Sequence, residues 1–198
     1  MVTKKQAGRR KSSRSKKPAV LWQSPYFAVV EHTFGRGAAS HKYFSCQRPS
    51  PHTVHIIALT PQDEVVLVKQ FRPAVGKEVI ELPAGVCDRP EEALVETARR
   101  ELLEEAGYEA EEMELVFSGT VSPGLSNEIY NLFVSTDAVR VAEGGGVGHE
   151  RIEVFLKPRR RLLDYLAETS LDGDVLVDAK IPTALALVEK YLFPESAF

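Results

Sequence analysis

Three glutamates near the middle of the chain have the spacing at which carboxylates meet on one face of a helix. Glu101, Glu104 and Glu105 stand at positions i, i+3 and i+4, and such residues are neighbours on a helix surface. Like charges at this spacing repel, and the negative end of the helix dipole repels them further. A divalent cation would reverse both penalties, and carboxylate oxygens suit Mg²⁺ or Mn²⁺. The spacing alone leaves a second interpretation open, in which Arg100 pairs with Glu104 on a solvated face.

The residues around these glutamates extend the pattern. Gly85 and Glu92 precede the run Arg100-Glu101-Leu102-Leu103-Glu104-Glu105-Ala106-Gly107-Tyr108. This arrangement closely resembles the Nudix box, G-x5-E-x7-R-E-U-x-E-E-x-G-U, in which U is a bulky apolar residue. One extra residue lies between Gly85 and Glu92, where a loop tolerates insertion, and the aromatic Tyr108 takes the last U. The resemblance favours a metal-binding helix over a solvated face.

Three further segments are similar to the ADP-ribose pyrophosphatase branch of that family, and the similarity extends over about residues 25–193. These segments are 65–76 (VVLVKQFRPAVG), 81–85 (ELPAG) and 122–128 (SPGLSNE). The resemblance implies an α+β fold, the Nudix α/β/α sandwich with a mixed sheet, plus a small N-terminal antiparallel sheet that commonly mediates a homodimer. It also implies hydrolysis of ADP-ribose, or a related nucleotide sugar, to a nucleoside monophosphate and a sugar phosphate.

The resemblance assigns roles to individual residues. Glu101 and Glu105 would hold Mg²⁺ or Mn²⁺, with Glu104 as a direct or water-bridged ligand and the backbone carbonyl of Ala84 as a further ligand. Such ions would neutralise the diphosphate and lower the pKa of an attacking water, with positioning and electrostatics supplying most of the catalysis.

Two residues match substrate-binding positions of the branch. Arg72 matches an arginine that grips the phosphates, for which a planar guanidinium is suited. Glu128 matches an acidic residue in a loop over the substrate. Plainer roles stay open, since Arg72 could form a strand-end salt bridge and Glu128 could simply keep a loop soluble.

The loop before the last core strand departs from the branch, which often places its general base there as a glutamate. That position is Gly148, whereas Glu150 matches a second acid that helps to bind metal. His149, Glu150 or Glu104 could serve as the base, Glu143 is a remoter candidate, and a metal-activated water could need no separate base. His149 is equally consistent with a solvated loop residue.

Aromatic residues of the N-terminal segment are candidates for stacking on the nucleobase. Phe27 and Phe44 fall roughly where the branch places such aromatics, and Trp22 is a further candidate. Either phenylalanine could instead belong to the core.

The elements that must position these residues follow from apolar patterns. We predict two or three short strands in 25–50, a strand pair at 54–59 and 65–71 joined by the turn 60–64, and a strand at 79–82. A helix is predicted over 91–106, ended by Gly107. Further strands at 113–118, 129–135 and 152–156 and helices near 158–168 and 182–193 indicate a mixed sheet between helices. The run Gly144–Gly146 predicts a long, mobile loop.

Composition narrows the class of protein. Of 198 residues, 43% are apolar, which indicates a globular body, and no stretch has the apolar length of a membrane helix or a secretory signal. Cys46 and Cys87 lie far apart, so neither a disulfide framework nor a zinc site is indicated, and we expect a cytoplasmic protein. We divide the chain into a basic, disordered tail (1–18), N-terminal strands (19–50) and a Nudix domain (51–198).

Charge bears on partners. Residues 1–18 hold eight basic residues and no acid, yet the net charge is −3, so the body is acidic and nucleic acid is an unlikely partner. The resemblance implies a small nucleotide sugar as the favoured substrate, and the charge distribution is consistent with it. The alternatives are a GDP-mannose-type hydrolase, an RNA-end pyrophosphohydrolase that uses the tail, and a non-catalytic nucleotide sensor. The retained carboxylates Glu101, Glu104 and Glu105 argue against the sensor.

Overall fold

The computed structural model describes residues 17–35, 37–148 and 150–192. These residues form two compact units, and each is described by itself. The first contains the described residues up to Pro49 together with 122–127, and the second contains 50–121 and the residues from 128 onward. Nearly all of the predicted tail, 1–18, lies outside the described residues, and the predicted domain boundaries stay a prediction.

The first unit is built on three antiparallel strands in the order β1-β2-β3. Segment 122–127 joins it through hydrogen bonds: the Cys46 N–H donates to the Leu125 carbonyl at 2.7 Å, and the Arg48 N–H donates to the side-chain Oδ1 of Asn127 at 2.8 Å. The strands are Ala19–Gln23 (β1), Ala28–Phe34 (β2) and His41–Gln47 (β3).

The second unit contains two four-stranded sheets and a short strand pair. The sheets have the orders β7-β4-β10-β9 and β12-β5-β6-β13, and the pair is β8 with β11. The strands are His52–Ala58 (β4), Glu64–Arg72 (β5), Lys77–Glu81 (β6), Ala84–Val86 (β7), Tyr108–Glu109 (β8), Glu114–Gly119 (β9), Ile129–Ser135 (β10), Val139–Arg140 (β11), Ile152–Pro158 (β12) and Val175–Val177 (β13).

Three helices pack on these sheets. They are α1, Leu94–Glu101, which continues as a wider π-type turn over Leu102–Ala106, then α2, Arg159–Asp172, and α3, Lys180–Leu192. Side chains alternate along each strand, so one core packs on α2 and α3 and the other on α1. Ile57 and Leu67 belong to the first core, and Ile56 and Val66 to the second. In the described part of the chain, no helix combines the length and apolarity needed to cross a membrane.

The predicted pairing of 54–59 with 65–71 is wrong. β4 pairs with β10 and β7, and β5 pairs with β12 and β6. Among the described residues, the only strand pairing between the two segments is an isolated β-bridge between Leu59 and Val65. An apolar pattern of period two specifies which face of a strand is buried but leaves its partner open. The single mixed sheet of the prediction is therefore two mixed sheets.

The predicted helix 91–106 begins three residues later, at Leu94. Glu92 lies before it, and its carboxylate accepts hydrogen bonds from Thr97 Oγ1 (2.9 Å) and Arg100 Nη2 (3.0 Å). Glu92 thus acts as an acceptor at the start of the helix instead of extending it. The short strands β7, β8, β11 and β13 carry too few residues for a sequence pattern to reveal them.

Candidate active site

Helix α1 is held on the sheets by small and apolar side chains one turn apart. Ala98, Leu102 and Ala106 are fully buried and pack in the same core as Val54 and Val66. Because this stripe faces the core, the intervening glutamates project from a different face of the helix. Gly107 then ends the helix as predicted, with a left-handed φ of 74°.

Glu105 is a buried carboxylate beside other carboxylates. Its Oε2 accepts a hydrogen bond from the Ala84 N–H at 2.9 Å, and only 6% of the residue is exposed. Burial, together with the charges of Glu101 and Glu150, raises the pKa of Glu105 to about 8, although the Ala84 hydrogen bond and Arg72 act in the opposite direction. At neutral pH the protonated form of Glu105 is therefore favoured in the metal-free chain.

Glu101 lies directly against the backbone of β7. A Cβ at Gly85 would fall 2.0 Å from Glu101 Cδ, so any other residue at position 85 would displace the Glu101 carboxylate from its present position. Burial is the main cause of the raised pKa of Glu101, and the charges of Glu104 and Glu150 add to it. The carboxylate of Glu101 and the strand that carries Ala84 are thus brought together by the absence of one side chain.

Arg100 links the acids of the helix. Its guanidinium donates to Glu92, to Glu101 Oε1 at 2.7 Å and to Glu104 Oε2 at 3.2 Å. The Arg100 side chain is only 16% exposed. The pairing of Arg100 with Glu104 considered from the spacing is therefore present, but within a half-buried network rather than on a solvated face.

Glu150 is carried by the loop between β11 and β12. Its Oε2 accepts a hydrogen bond from the Val147 N–H at 2.9 Å, and its charge contributes to the raised pKa of both Glu101 and Glu105. Gly148, where an acid was expected, has a left-handed φ of 68°. His149 lies outside the described residues. Glu143 is exposed, and its backbone carbonyl accepts from Arg140 Nη2.

Arg72 is held by Glu81, nine residues further along. Its Nε lies 2.9 Å from Glu81 Oε1, and its Nη2 lies 2.5 Å from Glu81 Oε2. Gln70 Nε2 donates to the same carboxylate at 3.0 Å. The salt bridge considered for Arg72 is thus present. The charge of Arg72 also acts to lower the pKa of Glu105, so the guanidinium lies within electrostatic range of the acidic cluster formed by Glu101, Glu105 and Glu150.

The remaining predicted residues are placed as follows. Glu128 Oε1 accepts a hydrogen bond from Thr53 Oγ1 at 3.2 Å. Phe27 and Phe44 belong to the first unit, where they are 38% and 49% exposed, so neither is a core residue there. Trp22 lies beside Phe27, with ring centroids 5.3 Å apart. The substrate-binding roles of these residues stay predictions.

The donor set suits a hard divalent cation. In the described ranges, no three His, Cys, Asp or Glu side chains are grouped tightly enough to hold a metal ion in this arrangement. The carboxylates of Glu105, Glu101 and Glu150 instead accept hydrogen bonds from the Ala84 N–H, from Arg100 and from the Val147 N–H. Glu150 nevertheless contributes to the raised pKa of both Glu101 and Glu105, and Glu101 contributes to that of Glu105, so the three carboxylates lie within electrostatic range of one another. Oxygen-only donors with excess negative charge are those that Mg²⁺ and Mn²⁺ prefer.

Comparison with known proteins places this site in a family. The profile of the NUDIX domain matches residues 49–159, more than half of the chain. The chain belongs to the NUDIX family. The membership predicted from the box is confirmed, and the box residues from Gly85 to Tyr108 all lie inside the matched range.

Several curated proteins are similar to this NUDIX chain over part of its length. A methanol dehydrogenase activator from Bacillus methanolicus is 38% identical over 119 residues, which cover 60% of this chain and 64% of the relative. An ADP-ribose pyrophosphatase from Bacillus subtilis is 36% identical over 87 residues, 44% of this chain and 46% of the relative. A GDP-mannose pyrophosphatase from Klebsiella pneumoniae is 37% identical over 123 residues, 57% and 61% of the two chains. The matches thus span less than two thirds of these relatives.

A solved structure supports the predicted NUDIX fold. The crystal structure of an ADP compounds hydrolase matches with a TM-score of 0.79 and covers 97% of this chain and 100% of its own, at 19% sequence identity. At that identity the likeness concerns the fold alone, and the predicted α+β Nudix fold is confirmed.

Two features of the site had no signal in the sequence. The Arg72–Glu81 pair joins residues on adjacent strands, and the strand register that brings them together could not be read from one sequence. The contact of the Gly144–Gly146 loop with the end of α1 was also missed, since the glycine run suggested mobility rather than close packing.

Proposed function

We propose that this chain is a metal-dependent NUDIX diphosphatase that hydrolyses the diphosphate bond of ADP-ribose or a related nucleoside-diphosphate sugar. The products would be a nucleoside monophosphate and a sugar phosphate. The observation that carries this proposal is the group of Glu101, Glu105 and Glu150, in which a buried carboxylate lies beside two others. Such an arrangement is unfavourable for folding alone and is typical of functional sites.

Glu101, Glu105 and Glu150 would hold the cations, with Glu104 and the carbonyl of Ala84 as further ligands. Bound Mg²⁺ or Mn²⁺ would supply neutralisation of the diphosphate charge and a lower pKa for the attacking water. Arg100 supports this group by fixing Glu101 and Glu104 through hydrogen bonds. Arg100 would therefore orient the carboxylates of Glu101 and Glu104 for cation binding.

Arg72 would bind the diphosphate of the substrate. Glu81 holds its guanidinium through Nε and Nη2, which orients the group at one edge of the acidic cluster. A planar guanidinium with fixed orientation suits phosphate oxygens. Glu128 would contribute a hydrogen-bond acceptor for the sugar, and Phe27 or Phe44 an aromatic face for the base.

The proton of the attacking water would pass to a carboxylate at the exposed side of the cluster. Glu104 is a candidate because its side chain is 30% exposed, compared with 14% for Glu101. Glu150 is the second candidate, and His149 the third from the sequence. Separate replacement of Glu104 and Glu150 by glutamine, with kcat followed against pH, would distinguish them.

A panel of nucleotide sugars assayed with the full chain tests the proposal. ADP-ribose, GDP-mannose and a 5′-triphosphorylated RNA would be incubated with Mg²⁺ or Mn²⁺ and the products separated by chromatography. We expect AMP and ribose 5-phosphate from ADP-ribose, and loss of turnover in excess EDTA. GDP-mannose as the preferred substrate would support the alternative that the relatives suggest. Binding of these compounds without hydrolysis under either metal would contradict the proposal and favour a sensor.

A further inference from the structure

The loop that follows β11 lies directly on the C-terminal end of the NUDIX helix. The Gly145 N–H donates to the Glu105 carbonyl at 2.8 Å, and the Gly146 N–H donates to the Glu104 carbonyl at 3.0 Å. Carbonyls in the last turn of a helix have no partner within the helix. The loop therefore supplies donors to the backbone of two of the residues that form the acidic cluster.

This contact requires glycine both in the loop and at the end of the helix. Gly144 has a φ of 73°, and a Cβ there would lie 2.5 Å from the Ala106 carbonyl carbon and 2.7 Å from the Gly107 nitrogen. A Cβ at Gly107 would likewise lie 2.3 Å from the Ala142 carbonyl oxygen. The loop and the helix end thus meet backbone to backbone, at a distance that any side chain would prevent.

The same loop carries Glu150 back towards the helix. The Ile152 N–H donates to the Gly145 carbonyl at 3.3 Å, and the Val147 N–H donates to Glu150 Oε2 at 2.9 Å. A Cβ at Gly146 would lie 2.7 Å from both the Cβ and Oε2 of Glu150. The position of Glu150 is therefore fixed by the glycine segment, and that segment is fixed by the backbone of Glu104 and Glu105.

We propose that Gly144–Gly146 is a positioning segment that sets the distance between Glu150 on the loop and Glu101 and Glu105 on the helix. This inference rests on the proposed function, because it concerns the assembly of the same acidic site. The segment caps the helix and carries the last carboxylate of the cation site, so any movement of the cap moves a ligand. Its residues act through Glu150 and touch neither substrate nor reacting atoms.

Two alanine variants separate this role from simple backbone strain. Gly144→Ala and Gly148→Ala both place a side chain at a left-handed φ, 73° and 68°. A Cβ at Gly148 meets nothing within 4 Å, whereas one at Gly144 meets the helix backbone. The difference between the variants therefore measures the loop–helix contact. Gly146→Ala is a second test, should Gly144→Ala fold poorly, because the nearest atoms to a Cβ at Gly146 belong to Glu150 and Ile152.

The readout is Mn²⁺ binding to the full metal-free chain, measured by calorimetric titration and accompanied by thermal unfolding. Groups that orient metal ligands typically contribute roughly 10–100-fold to affinity. We expect a loss of that size for Gly144→Ala and Gly146→Ala, and little change for Gly148→Ala. In a Glu150→Gln background, the same glycine changes should cost far less, because interacting sites are not additive.

Equal Mn²⁺ affinity of folded Gly144→Ala and Gly148→Ala, or additive losses in the Glu150→Gln background, would overturn the inference. Failure of the proposed function looks different. In that case the wild-type chain binds Mn²⁺ but hydrolyses no nucleotide sugar, and the comparison of the glycine variants still decides whether the segment positions Glu150.

Discussion

Two charged clusters in the second unit are organised in opposite ways. At the start of α2, the buried Arg159 places its guanidinium against both carboxylate oxygens of Asp63, at 2.6 and 3.0 Å, and also contacts Glu189. These hydrogen bonds raise the pKa of Arg159, which favours its charged form. At the end of α1, Glu105 is buried beside Glu101 and Glu150, and its pKa is raised because its charged form is disfavoured.

Charges that satisfy one another hold elements together, as Arg159 joins the turn before β5 to α2 and α3. Charges that oppose one another reduce stability, and such groups cluster at functional sites where a ligand compensates them. Under the proposed function, a cation would compensate the acidic cluster at the end of α1, whereas the Arg159 cluster is compensated by its own carboxylates.

The largest expected effect is that of Glu105→Gln. This change keeps the size of the side chain but removes the carboxylate that would ionise when a cation binds. We expect kcat on the preferred nucleotide sugar to fall roughly 10²–10³-fold, or about 2.7–4 kcal/mol, while the melting temperature of the metal-free chain holds or rises. Steady-state kinetics and calorimetry measure the two effects. A lower metal-free melting temperature would place Glu105 among the stabilising charges instead.

Arg159→Met is the converse change. Loss of the charge-assisted hydrogen bonds to Asp63 and Glu189 should destabilise the chain by about 1.5–3 kcal/mol, with kcat of the folded enzyme unchanged. Urea unfolding measures the stability. The control is Arg161→Met on the same helix, whose side chain is 76% exposed and pairs with Asp164 at 3.5 Å, and which should have little effect. Equal destabilisation by both variants would contradict the comparison.

His55 is a further buried group whose charged form is disfavoured, as that of Glu105 is. Among the described residues, its Nε2 has no hydrogen-bond partner. Burial, with smaller effects of Lys180 and Arg72, lowers its pKa from 6.5 to about 3. The unfolded chain therefore binds a proton below about pH 6.5 that the folded chain takes up only near pH 3. The free energy of unfolding is therefore not reduced by His55 above about pH 6.5, and it decreases as the pH falls from there towards pH 3.

From pH 6.5 to pH 5 that loss should amount to about 2 kcal/mol, and His55→Phe should remove it. Urea unfolding at both pH values measures the difference. The exposed His41→Phe is the control. If His55→Phe loses as much stability on acidification as the wild type, another group is responsible for the acid sensitivity.

The smallest expected effect is that of Glu81→Gln. This change weakens the hydrogen bonds that orient Arg72, and we expect roughly a 10-fold loss in kcat/KM, mostly through KM. Glu153→Gln is the control, because it breaks another ion pair of the same sheet, with Lys69 at 2.7 Å and the carboxylate 61% exposed. A fall in kcat with KM unchanged would argue against a role in binding the diphosphate.

The candidate cation ligands on the helix could be proposed from local spacing, because they are neighbours on one helix. Glu101, Glu104 and Glu105 are within five residues, so helical periodicity suffices to bring them together. Most strands were also found near their observed positions, because each has its own apolar pattern. The family profile then confirmed the family membership that the box predicted.

The parts that the sequence did not predict depend on non-local pairing. Strands β4 and β5 were identified but assigned to each other, since the pattern of a strand does not name its partner. Glu81 was not linked to Arg72 for the same reason. The contact of loop 144–146 with the helix end was not predicted either, because one sequence cannot distinguish glycines that allow close backbone contact from glycines that confer flexibility.

Thermal unfolding of the full chain with and without Mn²⁺, in the wild type and in Glu105→Gln, tests the central claim most directly. A ligand that binds only the folded state raises stability with its concentration, by about 2.7 kcal/mol at 100 times its Kd. We predict a clear rise in the wild-type melting temperature that excess EDTA reverses, and a much smaller rise in Glu105→Gln. An equal rise in both proteins, or none in the wild type, would contradict the claim that these carboxylates form a cation site.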